Sequence, residues 1–187
     1  MNIENLVVEL SKDPFNHNLN FDLAEEYLRL NQTASAVSFY LRCVEYSDEP
    51  NDKAYASLLR MAQCFNDQEG REYSVTNCLL QAIAYDDTRP EAYFKLSQYH
   101  EKAGQWQESY TWASIGYGWA TADPEPLPDD IGYFCSYCLL IQKGIAAWWI
   151  GRQEEAISTL RILKALPMHQ MYKDAVNYNL EKLNVVL

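Results

Sequence analysis

The chain has 187 residues, and 15 Lys and Arg against 26 Asp and Glu leave a formal net charge of −11 at pH 7. Hydrophobic residues make up 48%, enough for a packed core and too many for wholesale disorder. The acidic balance argues against nucleic-acid binding, which needs a cationic face to displace counterions, and 7 Gly with 7 Pro are too few for a turn-rich barrel.

From the start, Ile3, Leu6, Val7 and Leu10 recur at i, i+3, i+4 and i+7 and predict an amphipathic helix over 2–13. Pro14 disfavours helical geometry in Asp13 and should end it. Leu23, Ala24, Tyr27 and Leu30 make a second helical face. Ala36, Phe39, Tyr40, Cys43 and Val44 make a third, with Thr33 as its N-cap. Asn31-Gln32-Thr33 also spells a glycosylation sequon and is read as capping chemistry. Tyr55, Leu58, Leu59, Ala62 and Phe65 form a fourth face, and Val75, Leu79, Ala82 and Ile83 a fifth after Gly70. The run from Glu91 to His100 continues through Gly104 and Trp106 to Ser109, Ala113 and Gly116. Pro124, Pro126 and Pro128 then force an extended loop over 121–130. Asp129 or Asp130 is placed to cap the long helix that follows, within the apolar stretch from Ile131 to Ile150. Tyr172, Ala175, Val176, Leu180 and Leu183 predict a closing helix over 168–184. No stretch alternates with period two over a strand's length, so the expected class is all-α.

Met1 to Leu6 lacks the basic start and apolar stretch of a signal peptide. The longest apolar segment is interrupted by Ser136, Gln142 and Lys143, short of a membrane span. The five cysteines, an odd count scattered in apolar segments, read as reduced buried thiols. A cytoplasmic protein that crosses no membrane is the expectation.

Self-similarity with a fixed period marks a solenoid, and here the pattern resembles the tetratricopeptide repeat. With Pro90 as position 1, Tyr93, Leu96, Ser97, His100, Gly104, Ser109 and Gly116 fall on that motif's signature places. With His17 as position 1, Leu23, Ala24, Tyr27, Ala36, Tyr40 and Cys43 fall on theirs. A unit from Asp52 fits through Ala62, after which Gly70 and Ala82 arrive four residues late, an insertion around 66–69. Gly144, Ala147, Gly151 and Ala156 anchor a fourth. The resemblance implies a right-handed α-α superhelix, a solenoid of about four hairpins over 17–51, 52–89, 90–128 and 129–166. Capping helices at 2–13 and 168–184 complete a single domain over 1–187.

A narrower likeness covers 16–185 and is carried by residues 36–43, 89–97 and 144–152. These segments are similar to the helical repeat region that accompanies glycosyltransferase domains in large phages and viruses. The likeness implies an accessory or scaffolding region, with a glycosyltransferase or a virion component as partner. It implies no transferase activity, since the sugar-nucleotide sheet and its Asp-x-Asp are missing.

No complete catalytic set emerges from the residues. Cys135-Ser136-Tyr137-Cys138 has no second ligand pair for zinc. His17, His100 and His169 are far apart, and the acidic residues at 123–130 lack calcium-loop spacing. No catalytic residue, cofactor or metal is expected. What remains is a binding groove for a protein partner, lined in tetratricopeptide arrays by fixed positions of each first helix. Here those positions hold Phe21, Glu25 and Arg29, then Arg60, then Phe94, Gln98 and Lys102, then Ile141, Ile145, Trp148 and Trp149. Phe21 and Glu25 stand where a chaperone-tail clamp needs Lys and Asn, so that ligand is not expected. Packing is the plain reading for at least one of Trp148 and Trp149; exposed, they would anchor a peptide or a partner helix.

Overall fold

A computed structural model describes residues 2–48, 50–120, 124–128 and 131–182. These residues form ten α-helices and, among them, no strand. They gather into two compact units, one from Met1–Asp87 with Glu125–Ile131 and one from Thr88–Pro124 with Gly132–Leu187.

The first unit holds α1 (Ile3–Lys12), α2 (His17–Arg29), α3 (Thr33–Glu45), α4 (Asp52–Asn66) and α5 (Glu72–Tyr85). Three of these helices open on asparagine. Asn2, Asn16 and Asn51 each accept a hydrogen bond from the backbone N–H three residues on, at 3.0, 3.1 and 2.9 Å. The expected cap at Thr33 is not made. Thr33 is already helical, Gln32 holds the cap position, and no side chain bonds there. Burial follows the helical period: Leu23 and Ala24, Ala36, Tyr40 and Cys43, Tyr55, Leu58 and Leu59, then Val75, Leu79 and Ala82 form the core. On α1 only Leu6 is fully covered, and Val7, expected on the same face, is exposed.

The second unit holds α6 (Glu91–Lys102), α7 (Trp106–Trp119), α8 (Tyr137–Trp149), α9 (Gln153–Ala165) and α10 (Gln170–Lys182). The helix after the proline loop starts later than the sequence suggests. Residues 131–136 stay outside α8: Gly132 takes left-handed backbone, and the rings of Tyr133 and Phe134 are used for packing. Tyr133 meets Phe94 edge-on at 5.5 Å, and Phe134 lies over His169 and Tyr172 at 6.3 and 6.0 Å. Asp129 and Asp130, expected as caps, and Leu183, expected on the last helix, lie outside the described residues. Val176 and Leu180 are buried on α10, whereas Ala175 faces solvent.

One turn recurs at three hairpins. Asn31, Gly104 and Gly151 all take left-handed backbone, with φ of 57°, 71° and 83°. The next residue's N–H then reaches back to the carbonyl of Tyr27, His100 or Ala147 at 2.9, 2.8 and 2.9 Å. This closes the orphan carbonyls of each helix end and reverses the chain. Asn31 does what glycine does elsewhere, and that is the capping chemistry of its tripeptide. The remaining hairpin departs from the rule: α4 runs to 15 residues against 12 in α6, and its left-handed residue is Gly70.

Side-chain size sets the helix spacing in the second unit. A Cβ on Gly116 of α7 would lie 2.5 Å from the Cβ of Tyr93 on α6, and one on Gly144 would lie 3.1 Å from Thr159 Cγ2. The hydroxyl of Ser97 donates to the Ser109 carbonyl at 2.9 Å where the same pair of helices touch. Gly118, also on α7, has nothing within 4 Å of such a Cβ. Gly116→Ala should therefore destabilise by about 1–3 kcal/mol through overpacking. Gly118→Ala should be neutral or stabilise by up to about 1 kcal/mol through helix propensity. Urea unfolding of the two variants checks the contrast.

Candidate functional site

In the first unit the lining residues expected on α2 and α4 form a closed polar network. Phe21 is 3% exposed and lies edge-on to Tyr40 at 6.0 Å, with Lys53 Nζ 5.3 Å from its ring centre. Its ring is a floor, so a ligand at this face would meet the charges above it. Lys53 pairs with Asp22 at 2.7 Å. Glu25 accepts the hydroxyl of Tyr40 and lies 3.4 Å from Arg60 Nε. Burial first, then the hydrogen bond and charge of Glu25, push the Tyr40 phenol far above its ordinary range. Arg29 is exposed and pairs with Glu26. Tyr40 sits on the second helix of its hairpin, which a lining rule confined to first helices leaves out.

The second unit differs. Phe94 is 2% exposed, so it too belongs to the core, beneath Lys95 Nζ at 5.9 Å. Ile141 is buried, while Gln98, Ile145 and Trp148 are half-buried and Lys102 is exposed. Trp149 is 61% exposed, and its ring stacks on Trp106 at 5.1 Å and 16°. Trp106 opens α7, and one turn on the same face carries Tyr110. The Tyr110 hydroxyl donates to the Glu155 carboxylate at 2.8 Å and accepts from Arg152 Nη1 at 2.9 Å. The Arg152 guanidinium carbon lies 4.7 Å from the Tyr110 ring centre, and Lys143 Nζ lies 3.0 Å from Glu155. Burial pushes the Glu155 carboxyl up, but Lys143, Tyr110 and Arg152 together outweigh it and hold the group below its ordinary value. Neither Trp106 nor Tyr110 stood among the expected lining residues. Their signal is weak, because it lies in a partner helix reached only through the fold.

Other expected chemistry is placed plainly. His100 Nδ1 is 2.6 Å from Gln105 Oε1, a contact that ties the end of α6 to the turn after it. Cys135 lies just outside α8 and is half-buried, whereas Cys138 is buried within it. Among the described residues no three His, Cys, Asp or Glu side chains gather as a metal would require. No helix of the described residues is long and apolar enough to cross a membrane.

No family model matches the sequence, and no curated protein matches it. Solved structures do match. PilF of Pseudomonas aeruginosa is similar with a TM-score of 0.64 and 10% identity, over 94% of this chain and 72% of that one. MamA is similar with a TM-score of 0.60 and 15% identity, over 99% and 86%. YrrB, described as a TPR protein with an unusual peptide-binding site, is similar with a TM-score of 0.56 and 12% identity, over 85% and 73%. The fold is all-α and of the tetratricopeptide solenoid type, as the repeat pattern implied.

Burial raises the thiol of Cys43 and pushes those of Cys64 and Cys78 up to about 11. At pH 8 iodoacetamide should label Cys135 first, and the other four only on unfolding; mass spectrometry of the native and urea-treated chain checks this. The raised groups keep their protons longer when folded, so their stabilising contribution is complete below the ordinary thiol value of 9.0. It is lost as pH rises from there through about 11. Melts between pH 8 and 11 should show a steady fall.

Proposed function

We propose that the chain is a protein-binding scaffold module that captures its partner at the α8 end of the second unit. In this reading the four hairpins are repeat units of one module. The observation that supports it most is the Trp106–Trp149 stack, because an indole 61% exposed contributes little to the core. Two large rings already held face to face lose little entropy on binding, and aromatic anchors dominate interface energetics. Gln98, Lys102, Ile145 and Trp148, the second-unit lining positions that are not fully buried, are the candidates for the rest of the contact.

A photo-crosslinking amino acid at position 149 should trap a discrete partner in the native cell, identifiable by mass spectrometry. The same group at Tyr73, which is 81% exposed on α5, should not trap it. Trp149→Ala should weaken capture at least tenfold while lowering stability by only about 0.5–1.5 kcal/mol, the worth of an aromatic pair. Equal trapping at both positions, or turnover of a small substrate by the purified chain, would sink the reading.

The sequence likeness carried by 36–43, 89–97 and 144–152 favours a narrower second reading, an accessory region of a glycosyltransferase system or a virion component. Co-expression with transferases encoded beside it tests this: a complex that changes acceptor use supports it, and no complex removes it.

A further inference from the structure

At the far end of the second unit, lysines and apolar side chains line one cleft. Between Arg161 and Lys173 there is no acidic residue, although the whole chain carries −11. The same stretch leaves Ile162 and Met171 more than half exposed, at 55% and 58%. At the junction of α9 and α10 a cleft of about 470 Å³ opens, with Leu166, Met168 and Val176 as its apolar wall. Lys164, Lys173 and Asn177 complete the lining. Among the described residues neither lysine has an acidic partner within ion-pair distance, unlike Lys12, Lys53 and Lys143. Asp174 is the acidic neighbour, and its carboxylate is engaged by Gln170 Nε2 at 2.7 Å.

Position adds to composition. Lys173 stands in the first turn of α10, a helix of 13 residues with no acidic residue in that turn. A cation there works against the helix macrodipole, whose positive end instead favours an anion. Lys164 stands in the last turn of α9, whose negative end offsets part of its charge, so Lys173 and the start of α10 supply most of the positive potential beside the apolar hollow. The volume lies within the range of ordinary ligand pockets.

We infer that this cleft docks an acidic peptide segment of a partner protein, with one leucine-sized side chain held in the hollow. Leu166, Met168 and Val176 receive that side chain. The two ammonium groups receive carboxylates before and after it, and the Asn177 amide is available to the peptide backbone. An anionic membrane is the poorer fit: a bilayer is flat where the site is concave, and a chain of −11 is repelled by an extended negative surface. The site is separate from the Trp106–Trp149 anchor and does not depend on it.

The test starts from random dodecapeptides displayed on phage and selected on the immobilised full chain. Enriched sequences should carry Asp or Glu on both sides of a Leu, Ile or Phe. A fluorescein-labelled winner, titrated by anisotropy, should bind Lys164→Glu/Lys173→Glu at least tenfold more weakly, while circular dichroism shows that variant folded. Methyl resonances of Met168 should shift on binding, and Trp149→Ala should leave the affinity unchanged, which separates this site from the proposed anchor. Three outcomes would overturn the inference: enrichment without acidic residues, affinity indifferent to the charge reversal, or lysine-dependent binding to phosphatidylserine vesicles in place of peptide.

Discussion

Gly116 has no room for a methyl group, and much of the second unit follows from that. With the Tyr93 Cβ only 2.5 Å from where a Cβ would stand, α6 and α7 approach closely along their small residues. Ser97 and Ser109 meet at the same seam, bonded through their hydroxyls and backbone, and Ala113 is completely buried beside them. Tyr93 packs directly on Gly116 at this seam, is 3% exposed and meets Trp112 within the hairpin at a tilt. Other rings of the hairpin bridge to elements outside it: Phe94 meets Tyr133, and Trp106 finds Trp149. Most of these rings are spent on packing, and in one stacked pair the Trp149 ring is left exposed.

The helices were legible because one quantity, the 3.6-residue recurrence of apolar residues, is local. Leu58, Leu59 and Ala62 sit buried where their spacing placed them, and α1 stops at Lys12 with Asp13 as its cap. Ends were less legible because several residues compete for them. Thr33 is a good N-cap type, yet the left-handed turn at Asn31 settles the chain one residue earlier. Before α8 the competition is between helix and ring packing. Tyr133 and Phe134 gain more from Phe94, His169 and Tyr172 than from another turn of helix.

The site was harder to read for a different reason. Position in a repeat says which helical face a residue occupies, but not how deep it lies. Phe21 and Phe94 occupy lining positions and are still covered, each with a lysine ammonium above its ring. Trp149 occupies the same kind of position at a helix end and stays 61% exposed, although Trp106 covers one face of its ring. Depth depends on residues far away in sequence, and periodicity carries no information about them. The Tyr110, Lys143, Arg152 and Glu155 cluster was invisible for the same cause: three helical elements and a turn contribute one charge or hydroxyl each.

Charge shows how little cationic surface such a chain has to offer. Its 15 basic residues face 26 acidic ones, and many are already engaged at home. Lys53 is held by Asp22, Lys143 by Glu155, and Arg89 by Glu91 in a pair whose side chains are only 8% and 5% exposed. A buried pair of that kind is held by its geometry, since leaving either charge alone would cost several times what the pair gains. Lys164 and Lys173 belong to the cations left without an ion pair among the described residues, and both line an apolar hollow. Salt bridges elsewhere consume positive charge, whereas Lys173 is left unpaired because the carboxylate of its neighbour Asp174 is engaged by Gln170. At physiological ionic strength dissolved salt confines the field of such a lysine to about a Debye length, and the −11 background opposes it. Recognition there would depend on contact, with shape and charge matched within a few residues, and long-range steering would contribute little.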